Sequence, residues 1–422
     1  MPVTATVPSS SMDTPKTDQD LQEENFRAED YLLSHQPTEP DAPPLKQRYW
    51  LHALLFLLTI GTTTLSGLEW LSPVYAKAIS DGTLTWAQFS AGFAFSLPFL
   101  GILTVHEFGH YIFARKYGAR VTLPFYIPIW VGWLGTLSLG TLGAFIRINS
   151  PFKTRRQLFV VGAAGPLAGF VAALGVLVYG YTHLPPASYI FQIHPEYIAF
   201  GKDYANVVYN LPGIMLIKMG DNLTTFFLQS WLADPSLLPN AYELMHYPYL
   251  FAGYMALFFT ALNLIPIGQL DGGHILYGLV GPEWHRRLSP LLFIVLVTYS
   301  GLGIVQPILS LTDSDATGKL QWDAFYLLFL WVTFSKTAQG WLNISMLALS
   351  VFGLQYVVAL VAPELQGYNG WLIFCFVLGR FLGVYHPPAL IEEPLTTAQK
   401  WVGIISILVF LVSFSPVPFT VQ

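Results

Sequence analysis

Nine stretches of this chain, residues 49–68, 89–113, 158–181, 247–267, 288–311, 324–334, 342–361, 371–384 and 402–414, are apolar almost without interruption. A helix crosses the hydrocarbon core of a bilayer with about 17 to 25 such residues, so most of these runs are long enough to span. Residues 324–334 and 371–384 are short and leave room for tilt or re-entry. The expectation is an all-α polytopic membrane protein with about eight transmembrane helices. The composition agrees: 11% of the 422 residues are charged and 53% are hydrophobic, against about 25% charged in soluble domains. A soluble fold with so little charge would expose apolar patches that water does not tolerate.

Charge also narrows the partners. A net charge of −5 supplies no basic face to neutralise phosphates, so nucleic acid is not an expected partner. The single cysteine, Cys375, excludes an intramolecular disulfide or a thiolate zinc knuckle, and any metal must be held by His, Asp or Glu. Residues 1–45 differ from the rest, with nine acidic and two basic side chains and little apolar periodicity. They read as a disordered acidic cytosolic tail ahead of a membrane domain at 46–422. The tail lacks the features of a cleaved secretory signal and of an Arg- and Ser-rich transit peptide, which points to a prokaryotic plasma membrane.

Lys46 and Arg48 precede the first run, Arg115, Lys116 and Arg120 follow the second, Lys153, Arg155 and Arg156 precede the third, and Arg286 and Arg287 precede the fifth. All four clusters share the cytosolic side if the first span enters from the cytosol. Residues 183–246 are then an extracytoplasmic insertion. Between spans 2 and 3, residues 121–149 are rich in glycine, β-branched and aromatic residues, with Pro124 and Pro128. That pattern suggests a re-entrant β-hairpin or small sheet whose backbone is satisfied by protein or a wet cavity.

The second run ends in Thr104-Val105-His106-Glu107-Phe108-Gly109-His110-Tyr111. Residues four apart share one face of a helix, so His106 and His110 can offer two imidazoles to one metal with Glu107 beside them as general base. An ionisable group inside an apolar run is costly and usually functional. A catalytic zinc takes three protein ligands as a rule. Asp271 is the candidate for the third, in Asn263-Leu264-Ile265-Pro266-Ile267-Gly268-Gln269-Leu270-Asp271-Gly272-Gly273-His274, where Pro266 and the glycines break the helix and let the carboxylate turn back.

These residues resemble the site-2 protease group of intramembrane zinc metalloproteases. In that group a His-Glu-x-x-His is completed by the Asp of Asn-x-x-Pro-x-x-x-Leu-Asp-Gly, matched here by Asn263, Pro266, Leu270, Asp271 and Gly272. Gly162-Ala163-Ala164-Gly165-Pro166, Gly140, Gly143 and Arg147, and Gly379-Arg380 with His386-Pro387-Pro388 are similar to a bacterial and plastid branch without a PDZ domain. The resemblance runs from about residue 53 to 414, with a catalytic core near 89–285, and departs at the tail and at 183–246 and 311–340. It implies one Zn²⁺ per chain held by His106, His110 and Asp271. Glu107 is implied to activate water and then protonate the leaving amine, and Asn263 to hydrogen-bond the substrate backbone or oxyanion. The implied substrate is a transmembrane protein, unwound and paired with an edge strand within 121–149, where Gly140 and Gly143 are candidate contacts. Two other classes are carried beside it: a polytopic metal-binding transporter, which should show internal repeats and several intramembrane carboxylates, and an inactive scaffold, which has no need of Glu107. Of the remaining histidines, His274 and His386 read as packing or loop residues, and His183, His194 and His246 lie on the extracytoplasmic side, where a site could in principle form. Glu243-Leu244-Met245-His246 mimics a third-ligand helix on the wrong side of the membrane.

Overall fold

The computed structural model describes residues 47–134, 138–150, 152–212, 216–310 and 316–421; the expected acidic tail lies outside the described residues. Helix α1 (Tyr49–Leu71) leads through the short α2 (Pro73–Ser80) and α3 (Trp86–Ala91) to α4 (Phe93–Lys116). Two caps stop and restart the chain between them. The Ser72 side chain accepts from the Val74 N–H, and Thr85 forms a reciprocal capping box with Gln88, satisfying backbone donors that the helix starts leave free.

The inward face of α1 is polar. Thr59, Thr63, Thr64 and Ser66 are wholly buried, whereas Leu54, Leu57 and Leu58 are exposed. Three of these hydroxyls return to backbone carbonyls or reach across: Thr59 Oγ1 donates to Leu55 O at 2.7 Å, Thr64 meets Ser96 of α4 at 2.8 Å and Ser66 meets Ser138 at 2.9 Å, while Thr63 Oγ1 has no partner among the described residues. Hydroxyls inside and leucines outside invert the pattern of a helix solvated by water, and they match one solvated by lipid.

Between α4 and α5 (Arg155–Thr182) lies a small antiparallel sheet of β1 (Phe125–Pro128) and β2 (Thr141–Phe145). Phe125 pairs with Phe145, Tyr126 with Ala144 and Pro128 with Thr141. Two steps on β1 oppose three on β2, so β2 carries a bulge. Gly143, at φ +100°, takes the left-handed conformation there, which costs a residue with a Cβ about 1–2 kcal/mol. The sheet is moored by β1, which lies against α1, and by Tyr126, whose hydroxyl meets Thr104 Oγ1 of α4 at 2.6 Å.

α5 is the hub, packed against α4, α9 (Pro248–Leu264) and α10 (Asp271–Leu309). Before α9, residues 183–246 fold into α6 (Ile190–Ile193), α7 (Tyr204–Val208), β3 (Ile217–Met219) and α8 (Leu223–Leu232). Ile190, Ile193, Tyr197 and Val208 form a local core there. α10 is interrupted at Gly281, whose φ of 82° is non-helical and is followed by Pro282. α11 (Ala316–Thr333), α12 (Trp341–Val361) and α13 (Trp371–Val377) share a second core with the distal part of α10 around Phe293, Val297, Leu330 and Phe334. α14 (Thr397–Ser413) returns to α9 and α10, and β4 (Phe419–Val421) pairs with β3.

The fold is therefore mostly helical with small antiparallel sheets, and each of the nine apolar runs contains a helix. Among the described residues four helices, α1, α5, α10 and α12, are long and apolar enough to cross a membrane. α9, residues 371–382 and α14 are apolar but have 10–17 residues. α10 begins 17 residues N-terminal of the fifth expected run, because Asp271 itself begins the helix instead of lying in a loop ahead of it.

Candidate metal centre

Glycines set where α4 can lie. Gly162, Gly165 and Gly169 of α5 follow one another at helical spacing, so they share a face. A Cβ on Gly165 would overlap the His110 ring, one on Gly169 would sit 3.1 Å from His106 Nδ1, and one on Gly162 would press on His274 Cβ. From the other side, a Cβ on Gly109 would strike the Ala164 carbonyl. Small residues let helix backbones approach closely, and here the space released is filled by two imidazoles.

The rings converge. His106 Nε2 and His110 Nε2 are 3.1 Å apart, and Asp271 Oδ2 lies 3.6 Å from the first and 3.3 Å from the second. A tetrahedral zinc with bonds of about 2.0–2.1 Å places its ligand atoms about 3.3 Å apart, which is the mean edge of this triangle. His110 Nδ1 faces the Val161 carbonyl at 2.8 Å. A carbonyl only accepts, so Nδ1 carries the proton and Nε2 presents its lone pair to the triangle. Both histidines are buried. The residues fit zinc by donor type and spacing, and His110 also by tautomer.

Glu107, also buried, has the Ile146 backbone N–H beside its carboxylate. It lines a cavity of about 370 Å³ with His106, His110, Asp271, Asn263 and the end of β2. Asn263 Nδ2 is 3.3 Å from His106 Nε2, so the amide stands at the rim of the triangle. Ala144, Phe145 and Ile146 form a wall of the same cavity. Among the described residues β2 has one strand partner, β1, and its other edge is open within the sheet.

Of the residues singled out in the sequence, His106, Glu107, His110, Asn263 and Asp271 thus meet at one cavity. Gly143 sits in the bulge of the strand that borders it. Gly140 sits apart: at φ +79° it packs on α1, where a Cβ would overlap the Thr62 and Thr63 backbone, and its carbonyl accepts from Thr62 Oγ1 at 2.7 Å. His274 lines the cavity and joins His386 through an Nδ1···Nε2 contact of 2.7 Å, with His386 stacked on Tyr277. The histidine pair links residues 112 apart in sequence, and the His-Pro-Pro segment was its only sequence signal. Glu243 and His246 gather elsewhere, at the opposite end of α9.

The profile of peptidase family M50 matches residues 94–307, from the start of α4 to near the end of α10. Over 285 residues the chain is 26% identical to a protein of Arabidopsis thaliana named probable zinc metalloprotease EGY1, chloroplastic, covering 65% of this chain and 46% of that one. It is 28% identical over 298 residues to the EGY1 protein of Oryza sativa subsp. japonica, with 66% and 45% covered. With the EGY2 protein of Oryza sativa subsp. indica it shares 29% over 191 residues, 45% of this chain and 30% of the other. The chain thus spans about half the length of the curated relatives it matches, or less. No solved structure matches it. Because the matched segment is just over half of the chain and carries all five residues gathered at the cavity, this chain belongs to peptidase family M50, the site-2 protease family that its motifs resemble.

Proposed function

We propose that the chain is a zinc-dependent intramembrane endopeptidase that hydrolyses peptide bonds of single-span membrane proteins. The observation that carries this is a two-histidine, one-carboxylate triangle of zinc dimensions with a free carboxylate and an open strand edge on the same cavity. Zinc bound there supplies Lewis acidity, polarising the scissile carbonyl and acidifying water. Glu107 takes a proton from the attacking water and returns it to the departing amine, a role worth about 10²–10⁴ in rate. The Asn263 amide donates to the oxygen on which charge develops. Val161 holds the His110 ring in the tautomer that binds metal.

The open edge of β2 addresses a second difficulty. A helical substrate has its peptide groups engaged in its own hydrogen bonds, and in a bilayer those bonds are given up only for others. An extended peptide laid along Ala144 to Ile146 would regain them by strand addition, with Gly143 re-aiming the strand towards Glu107. Gly140 enters this reading by seating the same loop on α1.

The membrane placement belongs to the same proposal. About eight helices cross the bilayer, the sheet between α4 and α5 re-enters it, and the catalytic cavity opens on the cytosolic side where the Lys and Arg clusters collect. A prokaryotic plasma membrane is the bilayer suggested by the acidic residues 1–45, with a plastid membrane as the alternative suggested by the relatives' names. The test is zinc content and cleavage of a single-span reporter by detergent-purified wild type, Glu107→Gln and Asp271→Ala. Glu107→Gln is expected to keep the metal at the His106 site and lose at least about 100-fold in cleavage; Asp271→Ala is expected to lose that metal and all cleavage. Wild-type cleavage by either variant overturns the assignment.

A further inference from the structure

The end of α9 remote from Asn263 holds a second group of metal-ligating side chains, which the proposed chemistry does not use. His194, Glu243 and His246 bring one ligand atom each within 4.8 Å of one another. His194 Nε2 and His246 Nε2 are 3.1 Å apart, and Glu243 Oε2 lies 3.1 Å from His246 Nε2 and 3.8 Å from His194 Nε2. The mean edge is again about 3.3 Å, and a point about 2.0–2.1 Å from all three atoms exists, the bond length zinc makes to imidazole and carboxylate.

The outer atoms of the three side chains fix what the inner atoms can be. His246 Nδ1 faces two carbonyls, Trp70 O and Leu71 O, both at 2.9 Å. Carbonyls only accept, so Nδ1 bears the proton. They belong to the C-terminal turn of α1, whose carbonyls have no partner within the helix. His194 Nδ1 faces Glu196 Oε1 at 2.9 Å and is likewise the donor. A neutral imidazole has one N–H, so both Nε2 atoms turn lone pairs inward. Glu243 Oε1 accepts from the Tyr209 hydroxyl at 2.5 Å, which leaves Oε2 as the inward acceptor. With both imidazoles neutral and Glu243 a carboxylate, three lone pairs therefore converge on one point with no hydrogen among them. Each ligand is oriented by a hydrogen bond from its far side, the arrangement that metal ligands require of their surroundings.

The side chains are enclosed as well as aligned: His194, Glu243 and His246 are 12%, 4% and 9% exposed. His194 comes from the turn after α6, and Glu243 and His246 from the turn that leads into α9, with the end of α1 as backing. We propose that these residues form a second, structural zinc site, which ties the 183–246 segment to the ends of α1 and α9. Two imidazoles and one carboxylate suit zinc better than calcium or magnesium, which take oxygen ligands. α9 has 17 residues, so at about 1.5 Å each the two sites stand about 25 Å apart, at opposite ends of one helix.

The test counts zinc per chain in the full-length protein purified in detergent without added metal, by mass spectrometry of the elements. Wild type is expected to hold two zinc ions. The His106→Ala/His110→Ala variant, which leaves the second group intact, is expected to hold one, so the outcome stands apart from any reading of the peptidase site. Glu243→Gln, which keeps size and shape, is expected to lower the wild-type count by one and to speed proteolytic nicking within 183–246. Cobalt substituted into His106→Ala/His110→Ala should give the intense visible bands of a four-coordinate ion, and adding Glu243→Gln should abolish them. Zero zinc in His106→Ala/His110→Ala, or a count unchanged by Glu243→Gln, overturns the proposal. In that event a protonated histidine paired with Glu243 accounts for the contacts.

Discussion

Replacing Gly165 with alanine adds one carbon atom, and its consequence can be worked through from the helix crossing. The new Cβ would fall inside contact distance of three atoms of the His110 ring. The ring has no free direction in which to retreat, because Nδ1 is bonded to Val161 O and Nε2 is aimed at Asp271. The strain must then be taken by α4 sliding away from α5. Overpacking of this kind costs about 1–3 kcal/mol. If that cost falls on the ligand geometry it is worth about a 10- to 100-fold loss of zinc affinity, since each decade is about 1.4 kcal/mol. Gly169→Ala, whose Cβ would stand 3.1 Å from His106 Nδ1, should lose less, a few-fold. Gly175, on the same helix, has nothing within 4 Å of the corresponding position. Gly175→Ala should therefore be neutral, or stabilising by up to about 1 kcal/mol. Competition against a chelator of known affinity, run in parallel with reporter cleavage, ranks the three. Equal zinc retention by Gly165→Ala and wild type would falsify the idea that these glycines exist to admit the histidines. Equal damage from Gly175→Ala would show that the helix tolerates no added carbon anywhere.

Asn263→Ala should keep its zinc, because the amide is not one of the three proposed ligands, while the turnover rate falls by about 10²–10³ as expected for loss of one oxyanion donor; a changed KM with unchanged kcat would assign Asn263 to binding alone. Removal of metal with a strong chelator should lower the unfolding temperature as well as abolish cleavage. A site saturated 100-fold above its Kd contributes about 2.7 kcal/mol to stability, and readdition of zinc should restore both readouts. Gly140→Ala combines a left-handed backbone, costing about 1–2 kcal/mol, with overlap of the α1 backbone. Thermal unfolding in detergent should report a loss larger than that of Gly143→Ala, which meets strain without overlap; the reverse order would contradict the packing role of Gly140.

The parts of the site legible in the sequence are those fixed by short spacings. His106 and His110 sit one turn apart, and any helix through them puts both rings on one face. Asn263 to Asp271 was legible through Pro266 and the glycines that force a reversal between α9 and α10. The small antiparallel sheet was legible from the mixture of glycines and β-branched residues, although the bulge at Gly143 was not, because a bulge depends on register. Long-range partners left less trace. His274 meets His386 only after α10 and the segment before α14 have packed together, and no local pattern links them. The His194 group is a sharper case. Glu243 and His246 resemble a third-ligand segment for the wrong site, and His194, some 50 residues earlier in an aperiodic stretch, is legible only as one of three extracytoplasmic histidines, with nothing local to pair it with Glu243. Helix lengths were the other hidden quantity: composition marks where apolar runs lie, whereas the 39 residues of α10 depend on how Gly281 and Pro282 are absorbed.

The pairing of β3 with β4 bears on how the chain is made. Ile217 to Met219 hydrogen-bond with Val421 to Phe419, and the Tyr254 hydroxyl donates to Pro418 O at 2.6 Å. A ribosome making about 5–20 residues per second reaches Phe419 ten seconds or more after Met219. Throughout that interval β3 presents an unpaired edge while the seven helices α8 to α14 are produced, and unpaired edges recruit whatever strand is nearby. Docking of residues 418–421 is then a late closing event in biogenesis, and chains cut off before it should be the ones that quality-control proteases remove.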